Sequence, residues 1–256
     1  MAVVGMHYWP EQTGNAPYTT AMAQSLVTAG ARVLVVAGVP HYPYWRTHPE
    51  YRRGLRWSEP FGRMLVLRRR HWVPRDPNVL GRGLMDLTFL VQGASTLPMF
   101  RVDALIAITP MLSSMVACAS WSRVTGIPWG VLVQDLTGLG ARQSGVAGRW
   151  VSRAIGEVEY QCLRSADAIG VVAPQFGETL VKHGVNEDRI MLAPNFSHIE
   201  PSQMSKQCAR DVLGWPQGRY LLVHTGNLGM KQDLSYAIDA VRMSDGSPPF
   251  DLVLVG

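Results

Sequence analysis

The sequence predicts an α/β protein whose first and larger part is a doubly wound parallel sheet. Three observations predict it. Short, nearly continuous apolar runs recur along most of the 256 residues, the pattern of strands buried on both faces. Segments with apolar residues at helical spacing separate these runs, so the strands are joined by crossovers and lie parallel. Glycine, proline and asparagine fall at the junctions, where chain direction changes.

In order, residues 2–6 read as the first strand. A helix over 17–29 follows, with Asn15 placed to cap it, Pro17 in its first turn and Gly30 placed to stop it. Strands at 32–37, 64–68, 104–108, 129–134, 168–172 and 190–193 then alternate with helices at 84–97, 111–124, 146–164 and 175–183, the last closed by Gly184. At Ala193-Pro194-Asn195 the pattern breaks. Residues 1–195 therefore read as one domain and 196–217 as a polar, proline-bearing linker with a possible short helix at 206–213. A second domain over 218–256 restarts with a strand, a glycine loop, a helix at 232–243 and a strand at 250–255. A unit of about 40 residues with two strands and one helix buries too little apolar surface to offset its ordering entropy. The expectation is that this domain is incomplete.

A chain that is 47% hydrophobic and 17% charged is not disordered. Cys118, Cys162 and Cys208 are far apart and form no C-x-x-C pair, which points to neither a disulfide framework nor a zinc site and fits a reducing, cytoplasmic setting. The N-terminal apolar run is short and lacks a basic flank, and no stretch reaches the about 18 apolar residues of a membrane span. A soluble or peripheral protein is expected.

The net charge of +5 is concentrated. Between Tyr44 and Arg75, nine arginines face only Glu50 and Glu59, a local +7. Trp45, Tyr51, Trp57, Phe61 and Trp72 are interleaved with them. This composition suits an anionic membrane interface; it equally describes a solvated face with arginine stems packed on aromatic rings, and more weakly a nucleic-acid surface.

In an open parallel sheet, ligands bind where strand ends run into helix N-termini. After the first strand comes His7-Tyr8-Trp9-Pro10-Glu11-Gln12-Thr13-Gly14-Asn15, either an anion- or sugar-binding turn or an ordinary strand-to-helix connection. It is not G-x-G-x-x-G, so no dinucleotide fingerprint is present. Gly38 to Trp45 follows the second strand and leads into the arginines. Asp135, after the strand at 129–134, could position or deprotonate a hydroxyl, or cap a helix. The stretch 224–234, HTGNLGMKQDL, sets Lys231 between a glycine loop and a helix start in a chain with only three lysines. An ammonium there can neutralise a phosphate that the loop N–H groups also contact, although no Walker A pattern is present.

Together these stretches resemble the family 4 glycosyltransferases. His7 to Asn15 resembles that family's first glycine loop. The run from His41 to Gly54, HYPYWRTHPEYRRG, is similar to a segment of the branch that builds exopolysaccharide and O-antigen, including colanic-acid-type and N-acetyl-fucosamine transferases. Glu159, Asp167 and Pro174 match the end of the family's first domain, Pro194-Asn195 its interdomain crossing, and residues 226–232, GNLGMKQ, its donor-diphosphate loop. The resemblance implies a GT-B fold, two Rossmann-like domains facing a cleft, of which the second is here only begun. It implies a retaining transfer, without metal or other cofactor, from a nucleotide-sugar donor to a polyprenyl-diphosphate-linked or other glycan acceptor. The expected setting is the anionic inner face of the plasma membrane, in cell-surface polysaccharide synthesis, with no nucleic acid as partner.

Residue by residue, the resemblance places Lys231 at the donor diphosphate, with Gly226, Asn227 and Gly229 shaping its loop and Gly14 at the cleft. Asp135 falls near the acceptor hydroxyl, and His41, Tyr44, Trp45, Arg52 and Arg53 form the acceptor or membrane patch. Two departures stand out. Asn15 follows Gly14 where many members have consecutive glycines, and the family's paired glutamates would lie beyond Gly256. A chain of this extent is expected to be impaired in transfer; the alternative is a non-catalytic acceptor- or membrane-binding module.

Overall fold

The computed structural model describes residues 1–136, 149–197, 201–226, 228, 232–245 and 250–256. It divides into two compact units, residues 1–198 and 199–256.

The first unit is built on β1 (Ala2–Val4), β2 (Val33–Gly38), β3 (Arg56–Phe61), β4 (Met64–Arg69), β5 (Leu105–Ile108), β6 (Trp129–Val133), β7 (Ala168–Val171) and β8 (Ile190–Leu192), in the order β3-β4-β2-β1-β5-β6-β7-β8. Every pairing is parallel except β3 with β4. The helices are α1 (Ala16–Thr28), α2 (Val79–Ala94), α3 (Leu112–Thr125), α4 (Arg149–Ser165) and α5 (Pro174–Lys182). Alternate residues of a strand point to opposite faces, and two cores follow. Ala2, Val4, Leu34 and Val36 join Phe89 of α2, Met115 of α3 and Leu163 of α4 in one cluster. Val3, Val33 and Val35 join Ala23 of α1 in the other. Coverage of both faces is what lets these strands be apolar throughout.

The structure adds an element and corrects two expectations. β3 lies inside the arginine-rich segment, where proline and alternating charge hide a strand; as an edge strand it tolerates both. Asn15 does not cap α1 with its side chain; its Nδ2 donates instead to the Thr109 carbonyl at 2.7 Å. The arginines also do not form one solvated face. Arg68 and Arg69 are buried in β4. Arg68 Nε reaches Glu59 Oε1 and Oε2 at 2.8 and 3.0 Å, its Nη2 donates to the Trp9 carbonyl at 2.6 Å, and its guanidinium lies 5.3 Å from the Tyr51 ring centre. Arg69 Nε donates to Thr96 Oγ1 at 2.6 Å. Two of the nine charges are thus part of the framework.

The second unit contains α6 (Lys206–Leu213), β9 (Tyr220–Thr225), α7 (Ser235–Met243) and β10 (Phe250–Val255). The strands are parallel, with Tyr220 opposite Phe250 and Thr225 opposite Val255. Ser205 caps α6, its side chain accepting from the Cys208 N–H. The segment expected as linker therefore includes a capped helix of the second unit.

Candidate active site at the strand ends

Strand order reverses at β1: the chain runs outward to β2 on one side and to β5 on the other. The crevice outside the carboxyl end of such a strand is where α/β proteins place ligands. Four loops meet there, and two polar locks hold them.

Glu11 makes the first lock. Its Oε1 accepts the backbone N–H groups of His41 and Tyr42, both at 2.8 Å, and its Oε2 lies 2.7 Å from His7 Nδ1. The loop after β1 is thus tied to the loop after β2. Burial alone would push the Glu11 carboxyl up, but the hydrogen bond and charge of His7, with His41 and its backbone N–H, outweigh burial and hold it below the usual range. His41 is buried, with its Nδ1 3.0 Å from the Val39 carbonyl. Burial, then the neighbouring His7, depress its pKa despite the opposing Glu11 charge. The His71 ring lies edge-on, 4.8 Å centre to centre from His41, and burial followed by the charge of His41 pushes its pKa down to about 3. Both imidazoles are neutral at pH 7. A Cβ on residue 38 would stand 2.6 Å from His71 Nε2, so Gly38 is what lets β2 pass this ring. His7, Glu11 and His41 also place ligand-type atoms within 4.8 Å of one another, but the hydrogen bonds just described already employ both Glu11 oxygens.

Thr109 makes the second lock, at the end of β5. Its Oγ1 accepts the Gln134 N–H at 2.8 Å and donates to the Asp135 carbonyl at 3.0 Å, while its own carbonyl receives Asn15. The loops after β1, β5 and β6 are joined in this way. Asp135 itself is exposed, its Oδ1 accepting the Leu136 N–H at 2.9 Å; a carboxylate so placed can accept a hydroxyl proton or hydrogen bond. Gly14 is exposed in the left-handed region at φ +62°, its missing Cβ facing the Tyr42 ring.

The structure separates the residues expected to form one acceptor patch. His41 belongs to the buried lock and not to the surface. Tyr44, Trp45, Arg46, Arg52, Arg70 and Arg75 line a cavity of about 600 Å³. Arg53 is exposed but is not in its wall. Sequence reasoning missed Glu11 and His71; nothing in Pro10-Glu11 or Arg70-His71 alone signals a partner 30 residues away.

In the second unit, Gly226 follows β9 with φ +139°, and its N–H donates to the Val255 carbonyl at 2.9 Å. Asn227, Gly229 and Lys231 lie outside the described residues. A hollow of about 730 Å³ adjoins α6, lined by Arg210, Gly218, Arg219 and Tyr220 among others. It sits at the amino end of β9, the wrong end for a ligand of a parallel sheet.

Residues 13–195 match the model of the glycosyl transferase 4-like domain. The chain belongs to that family. It is 27% identical, over 269 residues, to a protein of Escherichia coli (strain K12) named as a colanic acid biosynthesis glycosyl transferase, WcaI. That alignment covers 99% of this chain and 65% of the relative, so the chain spans just under two thirds of the relative's length. Sucrose-phosphate synthase from Thermosynechococcus elongatus superposes with a TM-score of 0.70 at 16% identity, covering 100% of this chain and 61% of that one. Anabaena Alr3699/HepE, solved with UDP and glucose, gives 0.58 at 13% identity, covering 99% and 60%. These likenesses carry the fold alone: the family member has the α/β architecture of GT-B glycosyltransferases. Among the described residues, no helix is long and apolar enough to cross a membrane.

Proposed function

We propose that the chain is the acceptor-binding part, with the start of the donor-binding part, of a glycosyltransferase of cell-surface polysaccharide synthesis. The observation that carries this reading is the family match over residues 13–195. The locked loops around the end of β1 supply the matching site. A nucleotide sugar is the donor, its diphosphate held by the loop from Gly226 through Asn227 and Gly229 to Lys231. HepE, solved with UDP-glucose, supports that class of donor. The acceptor is a lipid-linked glycan taken up at the inner membrane surface, with Asp135 beside the attacking hydroxyl. Transfer retains anomeric configuration without a metal: the acceptor oxygen bonds to the anomeric carbon, the donor's sugar–phosphate bond breaks with its electron pair, and the acceptor proton leaves to the departing phosphate. Lys231 and the backbone donors stabilise the charge that develops on that phosphate.

The test is transfer of labelled sugar from a panel of nucleotide sugars to lipid-linked glycans, with the chain as it stands and in its full genomic reading frame. Lys231→Ala is expected to weaken donor binding at least tenfold, the order of one charge-assisted hydrogen bond, about 1.5–3 kcal/mol. Unchanged donor affinity removes Lys231 from the site. An inverted product overturns the retaining course.

A further inference from the structure

Three imidazoles gather behind the end of β1, and one of them differs from the others. Among the described residues, the Nε2 atoms of His41 and His71 are sealed from solvent without a partner. His7 Nε2 has no partner either, but it is not sealed, and the side chain is 17% exposed. The ring is held from three sides. Glu11, ionised, can only accept, so the 2.7 Å contact of its Oε2 is a hydrogen bond donated by His7 Nδ1. The His41 ring lies 5.2 Å away centre to centre, and the Tyr42 ring lies edge-on at 5.7 Å.

The lock does not need this imidazole. Glu11 Oε1 alone joins the loop after β1 to the loop after β2, through the N–H groups of His41 and Tyr42. His7 sits on the same loop as Glu11, so its hydrogen bond ties no further element in. What that bond does is fix the ring: Nδ1 is committed to the buried carboxylate, and Nε2 is left at the strand end with a set direction. A polar group whose rotamer and proton are fixed by a supporting hydrogen bond is preorganised for a ligand. The position suits one. β1 and β6 flank β5, so the strand ends that carry His7 and Asp135 are about 10 Å apart at the usual strand spacing, and one saccharide can meet both.

We infer that His7 Nε2 is a specificity contact for a hydroxyl of the acceptor sugar, distinct from the attacking hydroxyl beside Asp135, and that Glu11 is its positioning residue. Chemistry selects this ligand. A hydroxyl both donates and accepts, so it pairs with Nε2 whichever of the two the ring requires. A phosphate only accepts, and the groups packed on His7, a carboxylate and two rings, include no guanidinium or ammonium to hold its charge. A site that hydrogen-bonds a substrate hydroxyl rejects the analogue lacking it far more strongly than an apolar pocket rejects a missing methylene. This contact therefore chooses among sugars. The inference rests on the proposed transferase reading and names a residue that reads its acceptor.

The test is proton–nitrogen correlation NMR of the histidine side chains, with the methyl glycosides of glucose, galactose, N-acetylglucosamine and fucose as probes. His7 is expected to carry its proton on Nδ1 in the free chain, and at least one glycoside is expected to shift its Nε2 while His41 and His71 stay unmoved. No shift with any of these glycosides overturns the inference. Two variants separate the sugar contact from the lock, because an asparagine amide reproduces Nδ1 and a glutamine amide Nε2. His7→Asn should keep the Glu11 hydrogen bond and the melting temperature yet bind the glycoside about fivefold or more weakly, the order of one lost hydrogen bond; His7→Gln should retain most of the binding. Equal binding by His7→Asn and the parent overturns the contact. Among analogues of that glycoside lacking one hydroxyl each, the parent should reject one by about tenfold or more, and His7→Asn should treat that one like the intact sugar. A variant that discriminates as the parent does shows His7 to be structural only. In the full reading frame, glycoside binding through His7 without any sugar transfer sinks the transferase reading and leaves the contact standing. Transfer with an acceptor KM unchanged in His7→Asn does the reverse.

Discussion

The two units use the same βαβ arrangement and bury it very differently. In the first, Ala2, Val3 and Val4 of β1 and Val35 and Val36 of β2 are wholly excluded from solvent. In the second, Tyr220, Leu222 and Val223 of β9 remain 67%, 52% and 43% exposed, although β9 is equally apolar and equally parallel to its neighbour. Composition qualifies a parallel strand for burial; flanking strands and helices on both faces accomplish it. Only the first unit possesses them among the described residues, with six strands flanked on both sides and helices packed into two cores.

The sharpest way to test the contrast uses the cross-strand arginine–carboxylate pair that each unit contains. Arg68 to Glu59 joins β4 to β3 with the arginine side chain fully buried. Arg68→Ala is expected to destabilise the first unit by about 3–5 kcal/mol, because Glu59 loses its partner, the Trp9 carbonyl loses a donor and a cavity opens. Urea unfolding followed by tryptophan fluorescence measures it. A loss below about 1 kcal/mol would mean that the arginine is solvated in solution and the contrast between the units overstated.

Acid should separate the units next. His71 is buried with its pKa pushed down to about 3, among His41, His7 and Glu11. The unfolded chain takes up a proton at this residue near its ordinary value of about 6.5, whereas the native state does not. Stability contributed by the neutral ring is therefore intact above about pH 6.5 and declines as pH falls toward 3, by about 1.4 kcal/mol per pH unit. His41, also depressed, acts in the same direction. Glu11, whose folded pKa is lowered, adds a loss that begins as pH falls below the ordinary carboxylate value of about 4.3 and grows as the group becomes protonated. Thermal melts between pH 7 and 4 should show this slope, and His71→Asn should flatten it. An unchanged slope in that variant would exclude His71 as the source.

What could be read from the sequence follows the same division. Seven of the eight strands of the first unit are visible because buried parallel strands are continuous apolar runs, and their ends differ from the observed ones by a residue or two. β3 is not visible, since Arg56, Glu59 and Pro60 obey the rules of an edge strand and of a loop alike. For the candidate site, Asp135 and Gly14 are singled out by position after a strand, a local signal, and the structure does place both in exposed loops at strand ends. Glu11 and His71 are not singled out, because their meaning lies in contacts with residues 41 and 42 that only the sheet order creates. Charge counting misleads most: Arg68 and Arg69 are indistinguishable from Arg52 and Arg53 until β4 passes through the sheet.

The smallest expected effect is the most diagnostic of the second unit. Arg219 Nε lies 2.7 Å from Asp251 Oδ2, and its Nη2 donates to the Phe250 carbonyl at 3.1 Å, a cross-strand pair like that of Arg68. Here, however, the side chains are 42% and 36% exposed, so water screens the charges and already solvates both groups before folding. Arg219→Ala is expected to cost only about 0.2–1 kcal/mol, and the loss should shrink further when salt is raised. The measurement is a double-mutant cycle with Asp251→Ala, read by hydrogen exchange of the β9 and β10 amides. A coupling as large as that of Arg68 and Glu59 would show that β9 and β10 exclude water in solution, and that the two units are alike where their exposures say they differ.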